Sequence, residues 1–150
     1  MKFEINNLKI KTRKCKKKDY DFVFGIVKKT LFPFISKWYK PNKEMFDEKF
    51  KSDYKQRVIL LNKKEKIGFF QLTPKEEILN ITGIFILPKY QKKKIGTFLM
   101  NYFEKGDYKK ISLEVWENNP VYKFYKKLGY KIIKKKKHKY HMEKIITRFI

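Results

Sequence analysis

Apolar residues recur along this chain at two spacings, and the switches between them lay out most of the secondary structure. Leu8–Arg13 alternates apolar and basic residues weakly and predicts a first strand at a sheet edge. Asp19 stands where a helix N-cap belongs, ahead of Phe22, Val23, Ile26 and Val27 at helical spacing. A second helical region follows: Pro33–Tyr39, a break at Pro41, and Asn42 capping a stretch with Met45, Phe46 and Phe50. Arg57–Leu61 predicts a strand, Lys63–Lys66 its polar turn, and Ile67–Thr73 the return strand of a hairpin stopped by Pro74. Ile78–Leu87 is next, apolar on both faces toward its end, as a central strand would be.

The second half is patterned more sharply. Ile95, Phe98, Leu99, Tyr102 and Phe103 fall at i, i+3, i+4, i+7 and i+8 and predict an amphipathic helix ended by Gly106-Asp107. Ile111, Leu113 and Val115 alternate with polar residues as a strand, and Val121, Phe124, Tyr125 and Leu128 return to the helical period. Gly129 sits at the position where a helix most often turns left-handed after its last turn. Tyr130–Ile133 and Lys137–Glu143 close the pattern as a hairpin turned by lysines. The order β-α-α-β-β-β-α-β-α-β-β predicts an α/β fold: a mixed sheet, parallel at its β-α-β core, with helices on both faces.

Length and composition narrow this further. A chain of 150 residues with 42% hydrophobic and 17% aromatic residues can bury a core, and without repeats or linkers it predicts one domain over residues 1–150. The single cysteine, Cys15, allows no internal disulfide, and two histidines argue against a Cys/His metal site. Met1–Ile10 lacks the apolar core of a signal peptide, and no apolar run is long enough to span a bilayer. A cytoplasmic, metal-free protein is expected, monomeric or homodimeric. The apolar stretch Ile145–Ile150 suits a sheet edge or a second subunit.

Thirty-nine Lys+Arg against fifteen Asp+Glu give a formal charge of +24, which attracts polyanions at modest salt. The lysine runs Lys16–Lys18, Lys92–Lys94 and Lys134–Lys137 do not share one helical face, and no RNA-recognition signature is present. A solvated, lysine-rich surface is the simpler account, and a nucleic-acid partner is not favoured.

The candidate chemistry lies between the central strand and the long helix. Pro88 ends the strand, the chain turns through Lys89-Tyr90-Gln91-Lys92-Lys93-Lys94, and the helix opens at Ile95-Gly96-Thr97. The first amides of a helix have no internal partner and, with the helix dipole, form an anion site suited to a pyrophosphate. Gly96 permits close approach, Thr97 adds a hydroxyl and three lysines add charge. The glycine-lysine-serine/threonine pattern of a P-loop is missing.

Ile84-Phe85-Ile86-Leu87-Pro88-Lys89-Tyr90-Gln91, followed by Ile95-Gly96-Thr97-Phe98-Leu99, resembles the acetyl-CoA motif of the GNAT superfamily. Gln91 and Gly96 match that motif, while Lys94 stands where its first glycine is usual. Leu113-Glu114-Val115-Trp116, Asn118-Asn119-Pro120 and Phe124-Tyr125-Lys126-Lys127-Leu128-Gly129-Tyr130 resemble the second half of the same superfamily. The resemblance follows the element order of the whole chain and is sharpest over Ile84–Tyr130.

It implies a GNAT-like N-acetyltransferase with acetyl-CoA as co-substrate and a protein or small-molecule amine as acceptor. Attack would be direct, without a covalent enzyme intermediate. Ile84, Phe85 and Ile86 would present backbone to the pantetheine arm and an N–H to the oxyanion. Gln91, Lys92, Lys93, Lys94, Ile95, Gly96 and Thr97 would hold the pyrophosphate. Asn118 or Asn119 would meet the arm, and Tyr125 would protonate the departing thiolate.

An acceptor lysine, with a pKa of about 10.4, needs a base to be neutral. Gly83 occupies the place where related enzymes often carry a glutamate, and among Glu76, Glu77, Glu114 and Glu117 none stands out. The cluster Glu44, Asp47 and Glu48, with Asp53 beyond and Trp38 and Tyr39 nearby, would suit a cationic amine or simply be a solvated helix face. Lys94 and the missing glutamate leave open a catalytically silent acyl-CoA binder, and the charge leaves open a basic nucleic-acid-associated module.

Overall fold

The computed structural model describes residues 1–147, so the tail Ile145–Ile150 runs beyond the described residues. The elements are β1 (Lys2–Ile5), β2 (Leu8–Lys14), α1 (Tyr20–Thr30), α2 (Phe32–Ile35), α3 (Lys43–Asp53), β3 (Arg57–Asn62), β4 (Glu65–Lys75), β5 (Ile78–Ile86), α4 (Ile95–Glu104), β6 (Lys110–Trp116), α5 (Tyr122–Lys127), β7 (Lys131–Lys136) and β8 (Lys139–Ile145). The strands form one mixed sheet in the order β1-β2-β3-β4-β5-β6-β8-β7, with β5 and β6 parallel. This is the α/β architecture expected from the pattern.

Four details differ from the expectation. The strand Leu8–Arg13 is no edge, because β1 pairs with it from Lys2↔Lys11 to Ile5↔Leu8. The two residues between them, Asn6 and Asn7, have φ of 47° and 66°, as a type I′ hairpin loop requires, and asparagine tolerates that region better than most residues. Pro74 does not stop β4, which runs on to Lys75. Arg57, the first residue of β3, pairs with Gln71, so beyond Gln71 β4 is open on that side, where a strand accepts proline.

The polar turn narrows to Lys63 and Lys64, since Asn62 already pairs with Glu65. In the last hairpin, Lys134–Lys136 are strand rather than turn, paired with His141–Lys139, and a bulge at Ile133 leaves that residue 55% exposed. Solvated lysines do not disturb a backbone ladder, so the lysine run hid the strand.

Contacts divide the chain into two compact units: Met1–Gln71 with Ile84–Leu99, and Leu72–Gly83 with the residues from Met100 on. In the first, α1 buries Val23, Ile26 and Val27 together with Cys15, Phe50, Ile59 and Phe69. Each such side chain contributes roughly 1.5–3 kcal/mol of burial. Tyr20, Phe24, Phe46 and Phe50 pack edge-on between α1 and α3, with Phe24 and Phe46 at 5.1 Å and 61°. Asn42 caps α3 by accepting from the Met45 N–H at 3.2 Å.

Asp19 occupies the N-cap position of α1 but makes no capping bond. Its fully buried carboxylate accepts both Arg13 guanidinium nitrogens at 2.8 Å, the Lys16 N–H at 2.8 Å and the Lys66 ammonium at 2.7 Å.

In the second unit, Ile111, Leu113 and Val115 of β6 and Met142 of β8 are buried. Gly129, at φ 96°, ends α5 as expected. Glu104 accepts from the Tyr130 hydroxyl at 3.2 Å and from Lys144 at 2.9 Å, and Lys144 also donates to the Leu128 carbonyl at 2.8 Å. These bonds fix the turn that follows α5.

Candidate active site

In the first unit the candidate residues occupy one strand–loop–helix segment. The parallel ladder of β5 with β6 runs from Ile78↔Lys110 to Ile81↔Leu113, and β5 then continues to Ile86 outside that ladder. The far end of β5 rests on β4, where the Leu87 N–H donates to Ile67 at 2.8 Å. Gly68 lies against the Phe85 carbonyl. A Cβ there would overlap that oxygen and stand 3.1 Å from the Ile86 Cα. Gly68→Ala must therefore displace backbone at Ile84–Ile86, and it is expected to cost about 1–3 kcal/mol in a urea melt. Sequence reasoning passed over Gly68, although a lone glycine inside a strand pattern is a sign of close backbone approach.

After Ile86 the chain makes one tight turn at Pro88–Tyr90. Lys89 pairs with Glu65 at 2.8 Å, and the Tyr90 hydroxyl donates to the other oxygen of the same carboxylate. Gln91 turns back to donate to the Ile86 carbonyl at 2.9 Å. Lys92 and Lys94 both adopt left-handed backbone, at φ 62° and 67°. Ile95 is buried and anchors the start of α4, while Gly96 and Thr97 are half-buried. The bond from the Phe98 N–H to Lys94 O, 3.0 Å, opens the helical ladder, so the amides before it belong to the unsatisfied first turn.

The left-handed φ at Lys94 gives a physical reason for the glycine usual there. A side chain in that region costs about 1–2 kcal/mol, against a glycine entropy cost of about 0.5–1 kcal/mol. Lys94→Gly is expected to raise the unfolding free energy by up to roughly 1 kcal/mol, read from a urea melt. A loss of stability would mean that the lysine earns its place through contacts or charge.

In the second unit Asn118, Asn119 and Tyr125 lie on the segment from β6 into α5. The Asn119 side-chain oxygen accepts from the Val121 N–H at 3.0 Å and shapes the turn, and Asn118 is half-buried beside it. On α5 the buried residue is Tyr125, whereas Val121 is exposed and Phe124 and Leu128 are half-buried. The inward face is thus centred on the tyrosine, not on the apolar residues around it. Tyr125 packs edge-on against Phe124 at 5.1 Å and Tyr130 at 6.0 Å. Burial pushes its phenol up to about 12, so it keeps its proton at neutral pH.

The remaining candidates are largely engaged elsewhere. Lys135 holds the Glu117 carboxyl below its ordinary range, with His138 adding to the effect, which makes Glu117 a weak base. Glu77 pairs with Lys109 at 3.1 Å. Asp47 is bound by the Tyr20 hydroxyl and Lys43, and Asp53 by Arg57 at 2.6 Å, while Glu44 and Glu48 are exposed. Burial pushes the Cys15 thiol up to about 11, which suits packing rather than nucleophilic attack. Among the described residues no cluster of His, Cys, Asp and Glu could hold a metal ion.

A sequence model of the acetyltransferase (GNAT) domain matches residues 54–132. No curated protein matches by sequence. Among solved structures, the fold is similar to PaiA N-acetyltransferase from Thermoplasma acidophilum in complex with coenzyme A. The identity is 21%, with 91% of this chain and 98% of that one covered and a TM-score of 0.69. Ard1 from Thermoplasma volcanium gives 17% identity, coverage of 93% and 99%, and a TM-score of 0.69. Naa50 from Arabidopsis thaliana, in complex with the bisubstrate analogue CoA-Ac-MVNAL, gives 20%, coverage of 90% and 97%, and 0.61. At these identities the likeness is one of fold.

Proposed function

The chain belongs to the GNAT acetyltransferase family, and from that premise we propose that it transfers an acetyl group from acetyl-CoA to a primary amine bound at the same time. The observation that carries this reading is the segment from Ile84 to Thr97. There a strand leaves its ladder, a loop takes two left-handed turns, and a helix opens with unsatisfied amides. That arrangement suits a diphosphate, with the amides of Ile95, Gly96 and Thr97 as donors and Lys92, Lys93 and Lys94 as exposed counter-charge. Gln91 serves by fixing the loop to the Ile86 carbonyl.

Acetyl-CoA supplies the acyl group as a thioester. The backbone of Ile84, Phe85 and Ile86 offers hydrogen bonds to the extended arm, and an N–H in this stretch stabilises the oxyanion as the neutral amine attacks the carbonyl. The family resemblance gives Asn118 or Asn119 a contact with the arm. Tyr125 donates its phenolic proton to the sulfur as the carbon–sulfur bond breaks. The proton shed by the amine leaves to solvent and the phenol is reprotonated from it. We assign no general base: Glu117 is too acidic and Glu77 is ion-paired. One catalytic domain over residues 1–150, acting in the cytoplasm as a monomer or homodimer, is the simplest setting. Among the described residues no helix is long and apolar enough to cross a membrane.

The test is calorimetry with coenzyme A, followed by thiol release from acetyl-CoA across a panel of polyamines, amino acids and peptides. Uptake of one coenzyme per chain with acceptor-dependent thiol release is expected. Absence of uptake by folded protein removes the reading, and uptake without release for any amine makes the chain an acyl-CoA binder.

A further inference from the structure

We propose that the N-terminal hairpin β1–β2 clamps the coenzyme loop, with Asn6 as the positioning residue. The inference rests on the acetyl-CoA reading for its ligand, but its geometry stands apart from it. Asn6, in the hairpin turn, donates from Nδ2 to the carbonyl of Lys93 at 2.7 Å, across 87 residues of sequence. On the same hairpin Phe3 stacks on Phe98 of α4, with ring centroids 3.9 Å apart and planes 15° from parallel. The hairpin is itself well anchored, since β2 pairs with β3 from Ile10↔Asn62 to Lys14↔Val58 and Ile10 is buried.

Lys93 is the residue a clamp should grip. It lies between Lys92 and Lys94, the two left-handed residues of the loop, and all three side chains are exposed and alike in charge. Left to itself, a loop of mutually repelling lysines in a disfavoured backbone region would relax into other conformations. A peptide group is planar and trans, so its C=O and the next N–H point to opposite sides. Holding the Lys93 oxygen therefore fixes the direction of the Lys94 N–H, the amide just before the first turn of α4. Asn6 acts on the anion site through the peptide plane between Lys93 and Lys94. Phe3 holds the other end of the segment by packing on the helix. The loop is thus ordered before ligand arrives, and the ligand need not supply that ordering.

Asn6 can be tested without loss of the fold, because glycine also suits a φ of 47°. Asn6→Gly keeps the hairpin turn and removes the amide, and Asn6→Asp keeps the shape but replaces the donor with a carboxylate. For both, amide hydrogen exchange over residues 92–97 in the free protein is expected to quicken several-fold. The coenzyme A Kd is expected to rise about 3–10-fold, the loss of one ordinary hydrogen bond. The KM for acetyl-CoA should follow it, with kcat retained and the urea midpoint of Asn6→Gly lowered only slightly by loss of the same bond. Unaltered exchange and unaltered Kd in Asn6→Gly overturn the clamp. If wild-type protein takes up no coenzyme A while Asn6→Gly still quickens exchange, the grip on the loop stands and the acetyl-CoA reading falls.

Discussion

Asp19→Asn is expected to lower the unfolding free energy by about 3 kcal/mol, the lower end of the cost of removing one partner from a buried ion pair. For a chain of this size that is a fall of roughly 6–12 °C in Tm. Asp19 is fully buried, while Arg13 and Lys66 keep 29% and 32% of their side-chain surface and can partly rehydrate, hence the lower end. The Arg13 bond, reinforced by Lys66 and the Lys16 N–H and opposed by burial, holds the Asp19 carboxyl well below the usual carboxylate range.

The sign of the pH dependence follows. An unfolded chain takes up this proton near pH 4, whereas the native state resists it, so stability is complete above about pH 4 and falls as the medium is acidified further. Urea melts from pH 7 down to pH 2.5 should show a shallower acid loss in Asp19→Asn than in wild type. Parallel curves would mean that the carboxylate is not what ties β2 to β4.

Tyr125→Phe is expected to lower kcat about 10²–10³-fold while the coenzyme A Kd stays within about twofold, because only the proton at the leaving sulfur is lost. A phenol raised to about 12 by burial remains protonated through the working range, so no alkaline limb from this group should appear below about pH 10. The same burial links to stability. The unfolded phenol ionises near pH 10, so its contribution is complete below that and is lost as pH rises from about 10 to 12. The Phe variant should show a smaller alkaline loss. Unchanged kcat with the best acceptor would remove the acid role and leave Tyr125 as a packing residue.

What could be read in the sequence was periodic or resembled a family motif. The helical spacing of Ile95, Leu99 and Phe103, the alternation of Ile111, Leu113 and Val115, and Gly129 each match the structure, because burial enforces one period per element. Features held by single long-range bonds were not legible. The grip of Asn6 on Lys93 and the hold of Glu65 on Lys89 and Tyr90 leave no local pattern. The Asn6-Asn7 turn was legible in principle, as a pair tolerant of left-handed backbone, but the charged residues of Lys2–Ile5 blurred the strand before it. Asp19 stands at the expected N-cap position of α1, but spacing along the chain does not show that its carboxylate serves Arg13 and Lys66. A capping residue and a buried ion-pair acceptor look alike until Arg13 and Lys66 are brought near.

Among the described residues the sheet order ends in β7, along which lie Lys131, Lys134, Lys135 and Lys136. Such an edge is a template for another strand, and like charges along it oppose pairing with a second copy. That guard is ionic and therefore conditional: at about 1 M salt the screening length shrinks to about 3 Å. Concentrated salting-out agents are thus the setting in which this molecule is least protected from joining strand to strand.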